Sequence, residues 1–207
     1  NVTTVMFGEG ALEEGAAYEA LNLASLWKLP ILFVCENNTS EVERVPGQAH
    51  YHAPNLSVPE VADLARTLSL TTTVVEGIDL AAVWAAAGAA RARAVAGEGA
   101  TFLEVQTVTW PGGQWPTLAT GITDIRHAWN GEIPEEFADK AAWFERNDPI
   151  LTNVRELLAA GIVDQAGIEE LDAEVRDEMS EVARFANDSP LPKAENAMTN
   201  VWPQYRA

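Results

Sequence analysis

The sequence predicts an α/β protein: a three-layer αβα fold with a mostly parallel sheet, followed by a C-terminal helical extension. Three observations predict it. Short apolar or β-branched runs, Val2 to Phe7, Ile31 to Cys35, Thr71 to Glu76 and Thr101 to Thr107, recur with helical stretches between them, which is the pattern of βαβ units. The first run feeds an acidic residue between two glycines, Gly8-Glu9-Gly10, and the second feeds a paired asparagine, Asn37-Asn38. From Asp148 the pattern becomes helical only, so the expected division is 1–147 for the α/β part and 148–207 for the extension.

The first two runs read as short buried strands. Between them, Glu13 to Lys28 carries Tyr18, Leu21, Ala24, Leu26 and Trp27 at mostly helical spacing, and Leu29-Pro30 ends it. A strand, crossover helix and strand of this size are expected to be right-handed and parallel. Parallel strands end on the same edge of the sheet, where open α/β proteins bind ligands, so Glu9 and Asn38 are expected to converge there. A carboxylate, an amide oxygen and a nearby backbone carbonyl are hard ligands suited to Mg²⁺ or Ca²⁺. Gly8 and Gly10 let a backbone approach closely, and the helix beyond them offers unpaired N–H groups to a diphosphate.

After Asn38 comes a polar loop, Thr39 to Val58, with Pro46-Gly47 and Pro54. His50 and His52 flank Tyr51 within it, and no third ligand at zinc spacing follows, so they read as surface histidines. Pro59 to Leu70 reads as a helix with proline in its first turn. Thr71 to Glu76 is a β-branched strand, Gly77-Ile78-Asp79 a turn, and Asp79 the N-cap of an Ala-rich helix, Leu80 to Ala96. A second Gly-Glu-Gly, Gly97-Glu98-Gly99, precedes a strand instead of following one and reads as a helix C-terminal turn. Trp110 to Gly121 is a Gly/Pro loop whose Trp110 and Trp115 suit a pocket, an interface or a core.

Asp148-Pro149 starts a helix that Gly161 ends, and Asp164 caps a long helix, Gln165 to Ala186. Ile168, Leu171, Val175, Met179 and Val182 form its apolar stripe opposite a face crowded with Glu and Asp, so it should pack on the rest of the protein or on a partner. The tail from Pro190 to Ala207 has little periodicity.

Composition narrows the function classes. With 207 residues, 47% of them hydrophobic, and seven tryptophans, the chain can bury a sizeable core. A formal charge of −18 argues against nucleic acid and anionic membrane surfaces, whose phosphates need Lys and Arg. No apolar stretch approaches the ~20 residues of a membrane helix, and the start lacks signal-peptide character, so a cytoplasmic protein is expected. The single Cys35, inside an apolar run, excludes a disulfide framework and suits core packing.

Gly8-Glu9-Gly10, then a spacer, then Asn37-Asn38 resembles the thiamine diphosphate (ThDP) motif, which is Gly-Asp-Gly, a spacer of this size and Asn-Asn. The words FGEGALEEG, EALNLASLWKLPILFVCENN and VER, and later TFLEVQT, NDPI and EELDAEVRDEMSEVARFANDSP, resemble in order and spacing the α subunit of the E1 component of 2-oxoacid dehydrogenases, of the pyruvate and acetoin type. The resemblance covers about the C-terminal half of such a subunit. It implies a ThDP-binding fold that holds ThDP and Mg²⁺ (or Ca²⁺). Carried over residue by residue, Gly8, Glu9, Gly10, Ala11 and Asn38 contact the cofactor, and Glu9, Asn38 and the backbone carbonyl at Ser40 ligate the metal.

The same resemblance implies partners. A β-like subunit, of the E1 or transketolase C-terminal type, supplies the glutamate that activates the cofactor. A separate chain is expected to supply the missing N-terminal α portion, and a lipoyl or acyl carrier domain to accept the product. The implied reaction is decarboxylation or cleavage of a 2-oxoacid or ketose and transfer of the resulting acyl or two-carbon unit. Two departures bear on it: Glu9 stands where the family has Asp, and Gly113 stands where the family has a loop histidine. His127 could replace that histidine as a catalytic group, and Arg126 beside it could pair with a phosphate or carboxylate. The alternative is a non-catalytic structural α-like subunit with a degenerate cofactor site. A plain nucleotide-binding βαβ protein is disfavoured, because no GxGxxG or Walker sequence is present.

Overall fold

The structure is a computed structural model that describes residues 1–38, 56–58, 60–108 and 147–198. The chain divides into two compact units, Asn1–Ala159 and Ala160–Ala207.

The first unit is built on a four-stranded sheet, β1 (Thr3–Gly8), β2 (Ile31–Asn37), β3 (Thr71–Glu76) and β4 (Thr101–Gln106). Its spatial order is β1-β2-β4-β3, and every neighbouring pair is parallel. Parallel strands need crossovers, and three helices occupy them: α1 (Gly15–Leu26), α2 (Val61–Thr67) and α3 (Leu80–Val95). Leu21 and Ala24 of α1 and Val61, Leu64 and Ala65 of α2 pack with Phe33, Cys35 and Phe102 in one core cluster. Ala90 of α3 packs with Leu32 and Leu103 in another, whose sheet residues alternate with those of the first. Helices therefore cover both faces, and the protein has the three αβα layers expected from its sequence.

The inner strand β4 is buried along most of its length. Thr101 to Glu104 are all buried, Phe102 fully so, because β4 has neighbours on both edges and helices on both faces. The edge strand β1 differs from the expectation of a buried strand. Val5 is 40% and Met6 65% exposed, since among the described residues only β2 lies beside it. In the same way α1 buries Leu21 and Ala24 but leaves Leu26 and Trp27 exposed.

Local chemistry sets the element ends. Asp79 Oδ1 accepts from the Ala82 N–H at 2.8 Å and so caps α3, as the sequence suggests. Gly97 and Gly99 adopt left-handed backbone angles, φ 74° and 101°, in the turn after that helix. Gly77 is required for a different reason: a Cβ there would meet the Gln106 carbonyl oxygen at 2.7 Å and Val105 Cγ1 at 2.9 Å. Its own N–H donates to that same carbonyl at 2.7 Å, which fastens the turn after β3 to the end of β4.

The helix α4 (Pro149–Ala159) belongs to the first unit. Buried Asp148 caps it, with Oδ1 accepting from the N–H groups of Ile150 at 2.9 Å and Leu151 at 3.0 Å.

The second unit is dominated by α5 (Gln165–Asp188), capped by Asp164 Oδ1 from the Gly167 N–H at 2.9 Å. Of the stripe expected to pack, Ile168 is buried, whereas Leu171, Val175, Met179 and Val182 are each more than half exposed in this chain by itself. A short 3-10 segment, Ala194–Met198, follows.

Candidate functional site

The carboxyl edge of a parallel sheet collects whatever follows each strand. Gly8 pairs with Glu36, and Asn37 pairs with Gln106, so Glu9, Asn37-Asn38 and Gln106-Thr107 leave the sheet beside one another. The Thr107 N–H donates to the Asn37 carbonyl at 2.8 Å and holds the second and third of these exits together. The spacing argument that brought Glu9 and the asparagine pair to one edge is thus realised in the topology.

Glu9 opens a 3-10 turn, Glu9–Glu13, inserted between β1 and α1 where a longer helix was expected to begin at Glu13. The turn drops Leu12 into the core, fully buried, and this carries Glu9 inward with it. Glu9 is only 5% exposed, yet among the described residues its carboxylate accepts no hydrogen bond. A carboxylate without a protein donor at the open edge of a sheet is a candidate ligand for an external cation. Around it there is room: a Cβ placed on Gly8 or on Gly10 would meet nothing within 4 Å. Ala11, next along the turn, is exposed, and its carbonyl accepts from the Glu14 N–H at 3.2 Å. No side chain caps α1, whose N-terminus follows directly.

The two asparagines have different surroundings. Asn38 is exposed. Asn37 is buried, and its Nδ2 donates to Glu104 Oε1 at 2.8 Å. Glu104, 2% exposed, also accepts from the Ala62 N–H on Oε2 at 2.9 Å and from Gln106 Nε2 on Oε1 at 3.4 Å. This Glu104 cluster escaped the sequence reading. The signal for it was a charged residue flanked by Phe102, Leu103 and Val105 inside the Thr101–Gln106 strand, which demands a buried partner.

Negative charge is concentrated here. Burial pushes the Cys35 thiol up to about 12, and the carboxylates of Glu104, Glu9 and Glu36 add to the effect. Cys35 is fully buried and is a packing residue, as expected from its strand. Among the described residues no three His, Cys, Asp or Glu side chains converge as a metal cluster. The donor set at this edge is instead one carboxylate plus amide and carbonyl oxygens, which suits a hard cation that keeps water or phosphate in its shell. Gly8, Glu9, Gly10, Ala11 and Asn38 thus follow neighbouring strands at one edge, and the carboxylate and amide among them are donor types that suit a hard divalent cation. Ser40 and His127 lie outside the described residues, as do His50, His52, Trp110, Gly113, Trp115 and Arg126.

A family profile described as "Dehydrogenase E1 component" matches residues 1–112, which carry all of this edge. The chain belongs to the dehydrogenase E1 component family. It is similar to the pyruvate dehydrogenase E1 component subunit alpha of Zymomonas mobilis, 32% identical over 195 residues that make up 94% of this chain and 49% of that one. The chloroplastic subunit alpha-3 of Oryza sativa is 29% identical, over 98% of this chain and 43% of the relative. The human mitochondrial somatic-form subunit alpha is 28% identical, over 97% of this chain and 46% of the relative. This E1-family chain therefore spans about half the length of the curated relatives it matches. No helix among the described residues is long and apolar enough to cross a membrane.

Proposed function

We propose that this chain forms the diphosphate- and metal-binding part of a ThDP-dependent E1 assembly. One observation carries the reading: Glu9, a residue only 5% exposed, has no donor to its carboxylate among the described residues and lies at the open carboxyl edge of a parallel sheet beside Asn37-Asn38. In the proposal Glu9, Asn38 and the main-chain carbonyl of Ser40 hold Mg²⁺ or Ca²⁺. Gly8, Gly10 and Ala11 line the diphosphate, and the uncapped start of α1 turns its N–H groups toward the same anion. ThDP, when bound, supplies the electron sink for cleavage next to a carbonyl.

The work of this chain is binding, orientation and charge balance. No residue among those described has to act as the essential acid or base. The activating glutamate would come from a β-like subunit, and His127 is the candidate within this chain for a group acting near the substrate. The exposed Val5 and Met6 of β1, and Leu26 and Trp27 of α1, support the proposal that further polypeptide packs against this unit. That polypeptide would be an α-like portion and a β-like subunit in one assembly.

The relatives are named for pyruvate dehydrogenase, which supports a 2-oxoacid donor. Gly113 in place of the family's loop histidine supports an altered donor or acceptor, with a ketose and a carrier protein as the specialised case. The test is reconstitution of the assembly with ThDP, Mg²⁺ and a panel of 2-oxoacids and ketose phosphates, following donor loss and the mass of the acceptor domain. Turnover of any donor supports an active subunit. Tight ThDP binding with no turnover favours the alternative, a structural α-like subunit with a degenerate site.

A further inference from the structure

Asn38, a proposed metal ligand, directly follows β2, and the end of β2 and the start of α2 are fastened to the same side chain. At the entry, Asn37 Nδ2 donates to Glu104 Oε1 at 2.8 Å. At the exit, the Ala62 N–H donates to Glu104 Oε2 at 2.9 Å. Each carboxylate oxygen thus takes one end of the connection, and the carboxylate sits on β4, buried on both sides by the sheet's layers.

We infer that Glu104 is a positioning residue for cofactor and metal binding: a buried staple that closes the β2–α2 connection and thereby presents Asn38 at the sheet edge. The inference rests on the ThDP reading given above.

Physical reasons favour this role over simple packing. A core position between Phe102, Leu103 and Val105 would be filled more cheaply by an apolar side chain, because a buried carboxylate must recover its lost hydration from donors. Its two short bonds come from one backbone N–H and one amide, at the start of α2 and the end of β2, with Gln106 Nε2 a longer third donor at 3.4 Å. Closing the β2–α2 connection costs entropy that grows with its length, and a shared anchor at both ends offsets it where it matters for ligand placement. Side chains that orient a ligand-bearing residue without touching the ligand typically alter affinity by roughly 10–100-fold when replaced.

The substitution Glu104→Gln keeps the shape but puts an NH₂ donor where an oxygen now accepts, so one of the two ends must face a donor with a donor. Pairing it with Asn37→Asp reverses one bond: the new amide donates to the aspartate, and the remaining amide oxygen still accepts from Ala62. The experiment uses the reconstituted assembly and measures two quantities. The first is amide exchange of the flanking residues 36–38 and 60–65 without cofactor. The second is the affinity for ThDP at saturating Mg²⁺, with Glu9→Ala run alongside.

The expected result is faster exchange at 36–38 and 60–65 and roughly 10–100-fold weaker ThDP binding in Glu104→Gln, with both restored substantially in the Asn37→Asp/Glu104→Gln pair. Unchanged exchange in Glu104→Gln overturns the staple. Faster exchange with unchanged ThDP affinity overturns the positioning role, provided Glu9→Ala has lost binding. Failure of the pair to recover either quantity also overturns it, because the reversed bond should restore both ends of the staple. If Glu9→Ala binds ThDP normally, the cofactor reading is what has failed, and the staple is then decided by exchange. Should Glu104→Gln not assemble, the double variant answers the same question: assembly with parental exchange supports the reversed bond, and failure to assemble overturns it.

Discussion

Asn37 and Glu104 form a buried hydrogen bond, Nδ2 to Oε1 at 2.8 Å, between neighbouring parallel strands at the edge where the site lies. Removing the donor while keeping the volume leaves the carboxylate short of one partner in a place water does not reach. Asn37→Leu is therefore expected to lower the unfolding free energy by about 1–3 kcal/mol. Chemical denaturation of the assembled protein, or of the chain if it is stable alone, measures it. A loss near zero would mean that Glu104 finds another donor.

Gly77 gives the sharpest steric prediction. Alanine there brings a Cβ to 2.7 Å from the Gln106 carbonyl oxygen, a backbone atom that cannot rotate away. The turn after β3 and the end of β4 must separate, at a cost of about 1–3 kcal/mol. A lowered melting temperature for Gly77→Ala is expected, whereas Gly88→Ala, where a Cβ meets nothing within 4 Å, should be neutral or stabilising. Equal melting temperatures for the two would contradict the close approach.

The Cys35 thiol should be nearly inert in the folded protein. Burial, with Glu104, Glu9 and Glu36 nearby, pushes its pKa up to about 12, so at mildly alkaline pH almost none of it is thiolate, the reactive form. Alkylation should be slow under native conditions and fast in denaturant. Rapid native labelling at neutral pH would show that the strand opens or that the thiol is exposed.

Asp148 supplies a pH prediction. Burial raises its carboxyl above the ordinary value, against the lowering effects of the Leu151 and Ile150 N–H donors and of Arg155. A group whose folded pKa lies above its unfolded one stabilises the fold fully below the unfolded value, and that contribution is lost as pH rises through the folded value. Asp148→Asn keeps an oxygen for the helix cap and removes the ionisation. It should equal or exceed the parent in stability at neutral pH and lose the advantage in acid. Asp148→Ala, which deletes the cap, should cost about 1 kcal/mol. Thermal melts of the three proteins across the acidic range decide it; a strongly destabilised Asp148→Asn at neutral pH would contradict the sign.

Much of this architecture was legible because it rests on local periodicity. The runs ending at Phe7 and Cys35, the β-branched Thr71–Glu76 stretch and the capped helices follow from side-chain patterns that need no knowledge of distant residues. The placement of Glu9 and the asparagine pair at the same edge of the sheet was legible too, since parallel strands end on one edge. What the sequence did not reveal were features set by neighbours far along the chain. The 3-10 turn at Glu9–Glu13 arises because Leu12 enters the core. The exposure of β1 depends on what lies beside it. The pairing of Asn37 with Glu104 joins residues 67 positions apart, and a buried charge does not announce its partner. Even the division of labour between Asn37, buried, and Asn38, exposed, needed the strand register.

The central claim is that Glu9 contributes to a divalent-metal and diphosphate site, and calorimetric titration of ThDP tests it most directly. The assembled protein should bind ThDP in the presence of Mg²⁺ or Ca²⁺ and lose that binding when the metal is chelated. Glu9→Ala should abolish metal-dependent binding while its circular dichroism and melting profile remain those of a folded protein. Glu9→Asp, which restores the shorter carboxylate seen in the family's motif, should retain it. ThDP affinity that is indifferent to chelation, or unchanged in a folded Glu9→Ala variant, would contradict the account.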